Sequence, residues 1–327
     1  MKAVILAAGK GKRLQPLSNH ITKAMMPIAN VPITQRLIEQ IHKETGINEY
    51  IILANGKEQD IVKHFIDLAR HDEYFGKMRF EFIYQSEQKG MGHAVKCVLA
   101  KIRFDEPFLL AACDSLYPNG DIKKLMLKYN SSVCDGVFSL IEMPTDKMAK
   151  SSSVEIECGY VKRIIEKPSS NEILSNYASL PLYILKPDLM KYLNSIKPSI
   201  RGELELQDAL QAWLSSGGVF PYEIMSGRET ITTIADLLAL NMKYLRDISA
   251  SSENAWNEVM IVEPVLSGAK IRIGINSVIG PYVVIGESSR IGKDCTIKNA
   301  VIFAGSIVPD GTSIKNGCWH ENKFFPV

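Results

Sequence analysis

Leu6, Ala7, Ala8 and Gly9 lead into Lys10, Gly11, Lys12 and Arg13, a glycine-rich and basic stretch with the residue types that hold a phosphate. Glycine lets backbone N–H groups converge on an anion, and cationic side chains complete its neutralisation. The same residues would also serve an ordinary tight turn with solvated lysines. The stretch has neither the GK[ST] ending of a Walker loop nor the GxGxxG spacing of a dinucleotide site. Further on, an apolar run from Phe108 ends on Asp114, and the run from Tyr160 ends on Glu166 and Lys167. A carboxylate at a strand end can cap a following turn, and Tyr117-Pro-Asn-Gly120 is such a turn. Val161 and Ile165 suit a sheet, so Glu166 and Lys167 read equally well as its solvated end.

These residues need a frame. From residue 1 to about 245, β-rich apolar runs alternate with amphipathic stretches, the pattern of a Rossmann-like, mostly parallel mixed sheet flanked by helices. Strands are expected at Lys2 to Leu6, Tyr50 to Ala54, Arg79 to Tyr84, Pro107 to Cys113 and Gly136 to Leu140. Helices are expected at Pro32 to Thr45, Ile61 to Ala69 and Ala94 to Lys101. Chemistry in such folds sits at the carboxyl ends of the strands.

After about residue 260 the pattern changes. Every sixth residue from Ile273 reads Ile273, Ile279, Ile285, Ile291, Ile297, Phe303 and Pro309, and glycine follows the first four. Four positions after each come Ser277, Val283, Ser289, Cys295, Val301, Ile307 and Ser313. A period of six, aliphatic at one corner and mostly small at another, is the hexapeptide repeat of a left-handed parallel β-helix. Counted back to Ile261 and Val265 it makes about three coils. The expected organisation is therefore a domain over 1–245, a linker over 246–259 rich in Ser, Asn and Asp, and a β-helix over 260–327.

At 327 residues and 46% apolar content the chain can bury a large core. Its 38 Lys and Arg nearly balance 36 Asp and Glu, so no global field favours nucleic acid or an anionic membrane, and anion binding must be local. Gly9 ends the first apolar run before it reaches the length of a signal-peptide core or membrane span. The six cysteines lack metal-like spacing. A cytoplasmic protein with reduced thiols is expected.

The stretch from Leu6 to Arg13, with Lys23-Ala-Met-Met-Pro-Ile28 and Val31-Pro-Ile33 after it, resembles the N-terminal motif of the sugar-1-phosphate nucleotidylyltransferases. Three further blocks follow in that family's order. The segment Gln85-Ser-Glu-Gln-Lys-Gly90-Met91-Gly-His-Ala-Val95 is closest in wording to the UTP:glucose-1-phosphate uridylyltransferase branch. The second block is the run ending on Asp114, with Cys113 where the family has glycine. The third is Gly159 through Glu166-Lys167-Pro168, with Asn176 beyond it. Arg201-Gly-Glu203 through Asp208 also parallels a family segment, with Gln207 in a Ser/Thr position, which makes Glu203 and Asp208 pocket or helix-cap candidates.

The resemblance implies an enzyme that joins a nucleoside triphosphate, UTP or dTTP first, to a sugar 1-phosphate and releases pyrophosphate. It implies that the backbone of Leu6, Ala7, Ala8, Gly9 and Gly11 grips the nucleotide together with Arg13, that Lys23 meets phosphate oxygens, and that Gln85, Gly90 and Met91 hold the base. An amide suits the imide edge of uracil or thymine because it both donates and accepts. Asp114 is implied to bind Mg2+. Gly159, Glu166, Lys167 and Asn176 are implied to hold the sugar phosphate. Arg13, Lys23 and Asp114 are the expected catalytic residues, since such transfer depends on positioning and charge neutralisation.

One position departs from the pattern. Thr230, ahead of Asp236-Leu-Leu, stands where active relatives carry a second metal ligand, and a neutral hydroxyl is a poor substitute for a carboxylate on magnesium. Glu229 beside it would face the opposite side of a strand. Three readings follow: an enzyme whose Mg2+ is held by Asp114, triphosphate and water; a non-catalytic nucleotide or nucleotide-sugar binder with a regulatory or assembly role; or a bifunctional enzyme whose β-helix transfers acyl groups. Against the last, the coils contain no histidine, and His320 lies past the repeats. The β-helix is expected to mediate homo-oligomerisation, with no nucleic acid or membrane partner.

Overall fold

A computed structural model describes residues 1–56, 59–247, 256 and 258–327. Most of the expected linker, residues 248–255 and 257, lies outside the described residues. The chain forms two compact units: Met1–Gly9 with Leu37–Arg228, and Lys10–Arg36 with Glu229–Val327.

The first unit is built on a nine-stranded mixed sheet. Its strands are β1 (Lys2–Leu6), β2 (Glu49–Asn55), β3 (Arg79–Gln85), β4 (Phe108–Ala112), β5 (Gly136–Glu142), β6 (Ser152–Glu157), β7 (Tyr160–Glu166), β8 (Tyr177–Leu185) and β9 (Tyr222–Ile224). The order along the main path is β7-β6-β8-β4-β1-β2-β3, with β5 paired to β8 and β9. β4, β1, β2 and β3 run parallel, and β8 turns the sheet antiparallel against β4. Ala3, Val4 and Ile5 have no exposure, as an unbroken apolar run must in a strand covered on both faces. Helices α1 (Ile33–Thr45), α2 (Gln59–His71) and α3 (Met91–Lys101) make the crossovers between parallel strands.

The parallel strands fix where a ligand can bind. From β1 the chain steps to β2 and β3 on one side, then returns to place β4 on the other side of β1. That reversal makes the β1/β4 boundary a topological switch point, where the carboxyl ends of neighbouring strands open a crevice. The stretch after Leu6 and the residue Asp114 both leave the sheet there.

In the second unit, Met260 pairs with Val278 and Val278 with Thr296, in parallel and at the spacing of three hexapeptides, as in a β-helix. Val265 stacks on Val283 and Arg272 on Arg290 in the same way. Lys270, Asn276, Tyr282, Ser288 and Asp294 each turn a corner at positive φ, one per hexapeptide. The strict period of six fails after Ile297. Ile285 stacks on Ile302 and Ile291 on Val308, so the corner residues are Ile302 and Val308 rather than Phe303 and Pro309. The coil is one residue shorter there, and a period counted in sequence slips by that residue. The small corner residues also have a polar reason: Ser289 Oγ, fully buried, donates within a coil to Gly286 O (2.7 Å) or on to Phe303 O (3.0 Å) in the next.

Two anchors hold the segment Lys10–Arg36 within this unit. Helix α4 (Ile234–Asp247) is capped by Thr233 and Asp236 in a reciprocal pair. From it, Asn241 accepts from Ala29 N (2.8 Å) and donates to Pro27 O (2.9 Å). On the coils, Asn30 donates to Ile285 O (3.0 Å), and His20 Nδ1 lies 2.7 Å from Glu321. Among the described residues no helix is long and apolar enough to cross a membrane.

Candidate active site

At the switch point, the chain beyond β1 is held by backbone and side chain. Ala7 N donates to Leu53 O (2.8 Å), Cys113 N donates to Leu6 O (3.2 Å), and the Gln88 amide donates to Ala8 O. Leu6, Ala7, Ala8 and Gly9 are thereby fixed beside the strand end that carries Asp114. Gln88 lies inside the Gln85–Val95 segment, whose motif gives it no role of its own. Its own carbonyl oxygen is buried without a hydrogen-bond partner, which marks it as a group with an interaction left to make.

Gly11, Arg13 and Lys23 belong to the second unit. Gly11 has φ +58° and precedes a 3-10 turn over Lys12–Leu14. Its carbonyl accepts from Ser18 Oγ (2.9 Å) and Leu14 N (2.8 Å). A Cβ at position 11 would sit 3.4 Å from the Cβ of Lys23 and 3.3 Å from that of Ser18. Glycine is therefore required twice over, by its left-handed backbone and by the close approach of Lys23. Arg13 projects as an exposed side chain, and Lys23 is half-buried at the start of its own 3-10 turn.

Asp114 lies just beyond β4. Its Oδ1 accepts from Ser115 Oγ (2.9 Å), and Ser115 Oγ accepts from Arg228 Nε (2.9 Å). The Arg228 guanidinium comes 3.8 Å from the same Asp114 oxygen. Arg228 carries no sequence motif that would have singled it out. No cluster of three or more His, Cys, Asp or Glu side chains able to hold a metal occurs among the described residues. A single hard carboxylate at a strand end fits magnesium of the kind that keeps its waters and is carried mainly by substrate phosphates, and does not fit an all-protein cage. Thr230 follows Glu229 in a short strand, its hydroxyl buried without a hydrogen-bond partner. Glu229 is engaged by Lys243 of α4.

At the carboxyl end of β3, Gln85 is 3% exposed and its amide nitrogen lies 2.8 Å from His93 Nδ1. Gly90 takes φ +95°, and a Cβ there would sit 2.7 Å from Leu204 O. Leu204 N donates to Lys89 O (2.7 Å) and Gly92 N donates to Leu204 O (2.8 Å), which ties the segment of Gly90 and Met91 to that of Glu203 and Glu205.

The third block divides. β6 and β7 form a hairpin in which Glu157 pairs with Tyr160, and the residues between, Cys158 and Gly159, both have positive φ. That is the backbone of a tight two-residue turn. Gly159 thus serves an exposed hairpin tip, while Glu166 pairs with Ser152 at the other end of β7. The structure does not bring Gly159 to Glu166 and Lys167. A glycine between two apolar runs signals a turn as readily as a ligand contact, and here the turn decides.

Glu166 is mostly buried, and burial pushes its carboxyl up to about 7, against the pull of the Lys167 ammonium 3.9 Å away. Glu205 and Asp208 add negative charge around it and Arg201 positive charge. Arg201 donates to Glu205 at 2.7 Å, and Ser199 Oγ donates to the same oxygen at 2.9 Å. Lys167 holds φ +48°, a conformation that a non-glycine residue rarely adopts outside a constrained site. Asn176 is exposed and donates to Glu142 (2.6 Å). A raised carboxyl and two cations, Arg201 and the strained Lys167, suit a ligand that carries both hydroxyls and a phosphate.

A family model described as nucleotidyl transferase matches residues 2–256, and one described as the GMPPB C-terminal domain matches residues 261–319. The bifunctional protein GlmU of Methanococcus vannielii is 30% identical, over 94% of this chain and 75% of its own length. The UTP–glucose-1-phosphate uridylyltransferase AglF of Haloferax volcanii is 30% identical, over 66% of this chain and 85% of its own. Among solved structures, a UDP-glucose pyrophosphorylase complexed with UDP-glucose superposes with a TM-score of 0.67 at 24% identity, covering 75% of this chain and 98% of that one.

Proposed function

Because the chain belongs to the nucleotidyl transferase family, we propose that it joins UTP or dTTP to a sugar 1-phosphate, giving a nucleoside diphosphate sugar and pyrophosphate. A phosphate oxygen of the sugar 1-phosphate attacks the α-phosphorus, the new P–O bond forms in line with the breaking α–β bond, and pyrophosphate leaves. No covalent enzyme intermediate is needed. The observation that carries the reading is the convergence of the Leu6–Gly9 stretch and Asp114 on the β1/β4 switch point. Relatives named as uridylyltransferases support uridine as the nucleoside.

The backbone from Leu6 to Gly11 cradles the triphosphate, and Arg13 and Lys23 offset its charge and that of the departing pyrophosphate. Gln85, Gly90 and Met91 hold the base, Gln85 through its buried amide. Glu166, Lys167 and Asn176 take the sugar phosphate, and Arg201, whose charge is felt at Glu166, joins this set on our reading, while Gly159 serves the hairpin turn. Mg2+ arriving with the triphosphate would be held through Asp114 and would add positive charge at the transferring phosphorus. The nucleotidyltransferase domain on this reading is 1–245, joined by a linker at 246–259 to a left-handed β-helix at 260–327. The exposed first rung of that helix, where Met260 is 63% exposed, offers an end face to another subunit in a homo-oligomer. Six cysteines without metal-like spacing suit a reducing, cytoplasmic setting.

A second reading, nucleotide-sugar binding without turnover, is favoured by Thr230 and by the guanidinium of Arg228 beside Asp114. Identifying the product chromatographically after incubation with UTP, a sugar 1-phosphate and magnesium separates the two. A UDP-sugar peak supports the enzyme, and bound but unchanged UTP supports the binder.

A further inference from the structure

We propose that His93 locks the amide of Gln85 in one orientation and so makes the site select bases with an imide N–H, uracil and thymine, over cytosine. The proposal rests on the reading in which Gln85 faces the base. Gln85 ends β3 and is buried, so both ends of its amide require partners. Its nitrogen lies 2.8 Å from His93 Nδ1. On the next turn of α3, Cys97 Sγ lies 3.7 Å from His93 Nε2. Burial pushes the Cys97 thiol up, so it stays a neutral thiol, a weak acceptor for an N–H at Nε2. A neutral imidazole with its hydrogen on Nε2 has a bare Nδ1, which accepts from the Gln85 amide.

With one N–H committed to His93, the Gln85 amide cannot turn over, and it presents its carbonyl oxygen and its remaining N–H in a fixed order. Uracil and thymine carry a hydrogen on N3 and can donate to that oxygen. Cytosine carries a lone pair on N3, which would meet the lone pairs of Oε1. A glutamine free to rotate would serve either base by exchanging oxygen for nitrogen. Here the exchange would set Oε1 against a bare Nδ1, acceptor against acceptor. The backbone supports the lock, since Gly92 N is bonded to Leu204 O, directly before His93 in the first turn of α3.

The test is calorimetric titration of the full-length protein with UTP and with CTP, in the absence of sugar 1-phosphate so that no turnover intervenes. Two variants are used: His93→Leu, which keeps bulk and removes the acceptor, and His93→Asn, which keeps a polar group on this half-buried position but is too short to reach Gln85. Wild type is expected to prefer UTP, and either folded variant to lower the UTP-to-CTP affinity ratio about tenfold. An unchanged ratio in a folded variant, or UTP and CTP weakened equally, leaves His93 a packing role and overturns the inference alone. Equal binding of UTP and CTP by wild type also overturns it. Failure of wild type to bind any nucleoside triphosphate overturns the nucleotidyltransferase reading beneath it.

Discussion

Arg228 stands 3.8 Å from Asp114 and shares Ser115 with it, so the carboxylate expected to hold a metal already faces a fixed cation. The pair is partly exposed, which limits its strength, but a divalent ion at Asp114 must work against that positive charge. Arg228→Gln removes the competitor. The half-saturating magnesium concentration for turnover should fall roughly twofold to fivefold, and a magnesium titration of the two proteins checks it.

Glu166 links pH to stability. Its carboxyl ordinarily titrates near 4.5 and burial pushes it up to about 7. The folded protein therefore holds this proton more tightly than the unfolded chain does. The stability so gained is complete below the ordinary value and is lost as pH rises through about 7. Glu166→Gln removes the cost of ionising a buried carboxyl. The variant should be more stable than wild type at pH 8, by about 3 kcal/mol at most, with the difference shrinking toward pH 5. Urea unfolding at the two pH values measures it.

Asn241 satisfies two backbone groups of the segment that carries Lys23. Asn241→Ala leaves the Ala29 N–H and the Pro27 carbonyl unpaired in a buried place. A loss of about 2 kcal/mol in unfolding free energy is expected, with faster amide exchange over residues 22–31.

Gly90→Ala sets a methyl group 2.7 Å from Leu204 O at a backbone angle that L residues avoid. The variant should lose about 2 kcal/mol or more of stability. It should also bind nucleotide more weakly, because the segment of Glu203 to Glu205 must move. Thermal unfolding and nucleotide titration report the two effects separately.

These positions show how much a local pattern reveals. β1 and the strand that delivers Asp114 are legible because a strand buried on both faces must be an unbroken apolar run, and Ala3 to Ile5 are one. Gln85 is legible as a site candidate through its motif, but its partner His93 is not. The bond between them depends on where the first turn of α3 is pinned by Leu204, far along the chain. Gly159 reads in sequence as a place for a ligand and folds as half of a tight turn, since the same freedom at positive φ serves both uses. The slip in the coils after Ile297 is hidden because Phe303 is as apolar as the corner residue Ile302 that displaces it. Nothing in the sequence groups Lys10–Arg36 with the repeats, because Asn30, His20 and Asn241 act through single hydrogen bonds that leave no periodic trace.

Turnover is proposed at a site where Asp114 is the protein carboxylate for the metal. The measurement that tests it is pyrophosphate release, with magnesium, from each of UTP, dTTP, CTP, GTP and ATP against a panel of sugar 1-phosphates. UTP or dTTP with at least one sugar 1-phosphate should release pyrophosphate, and Asp114→Asn and Lys23→Ala should each lower the rate by about a hundredfold or more. Absence of pyrophosphate from every pair, with thermal shifts that still report nucleotide binding, would contradict the enzyme and leave a binding protein in its place.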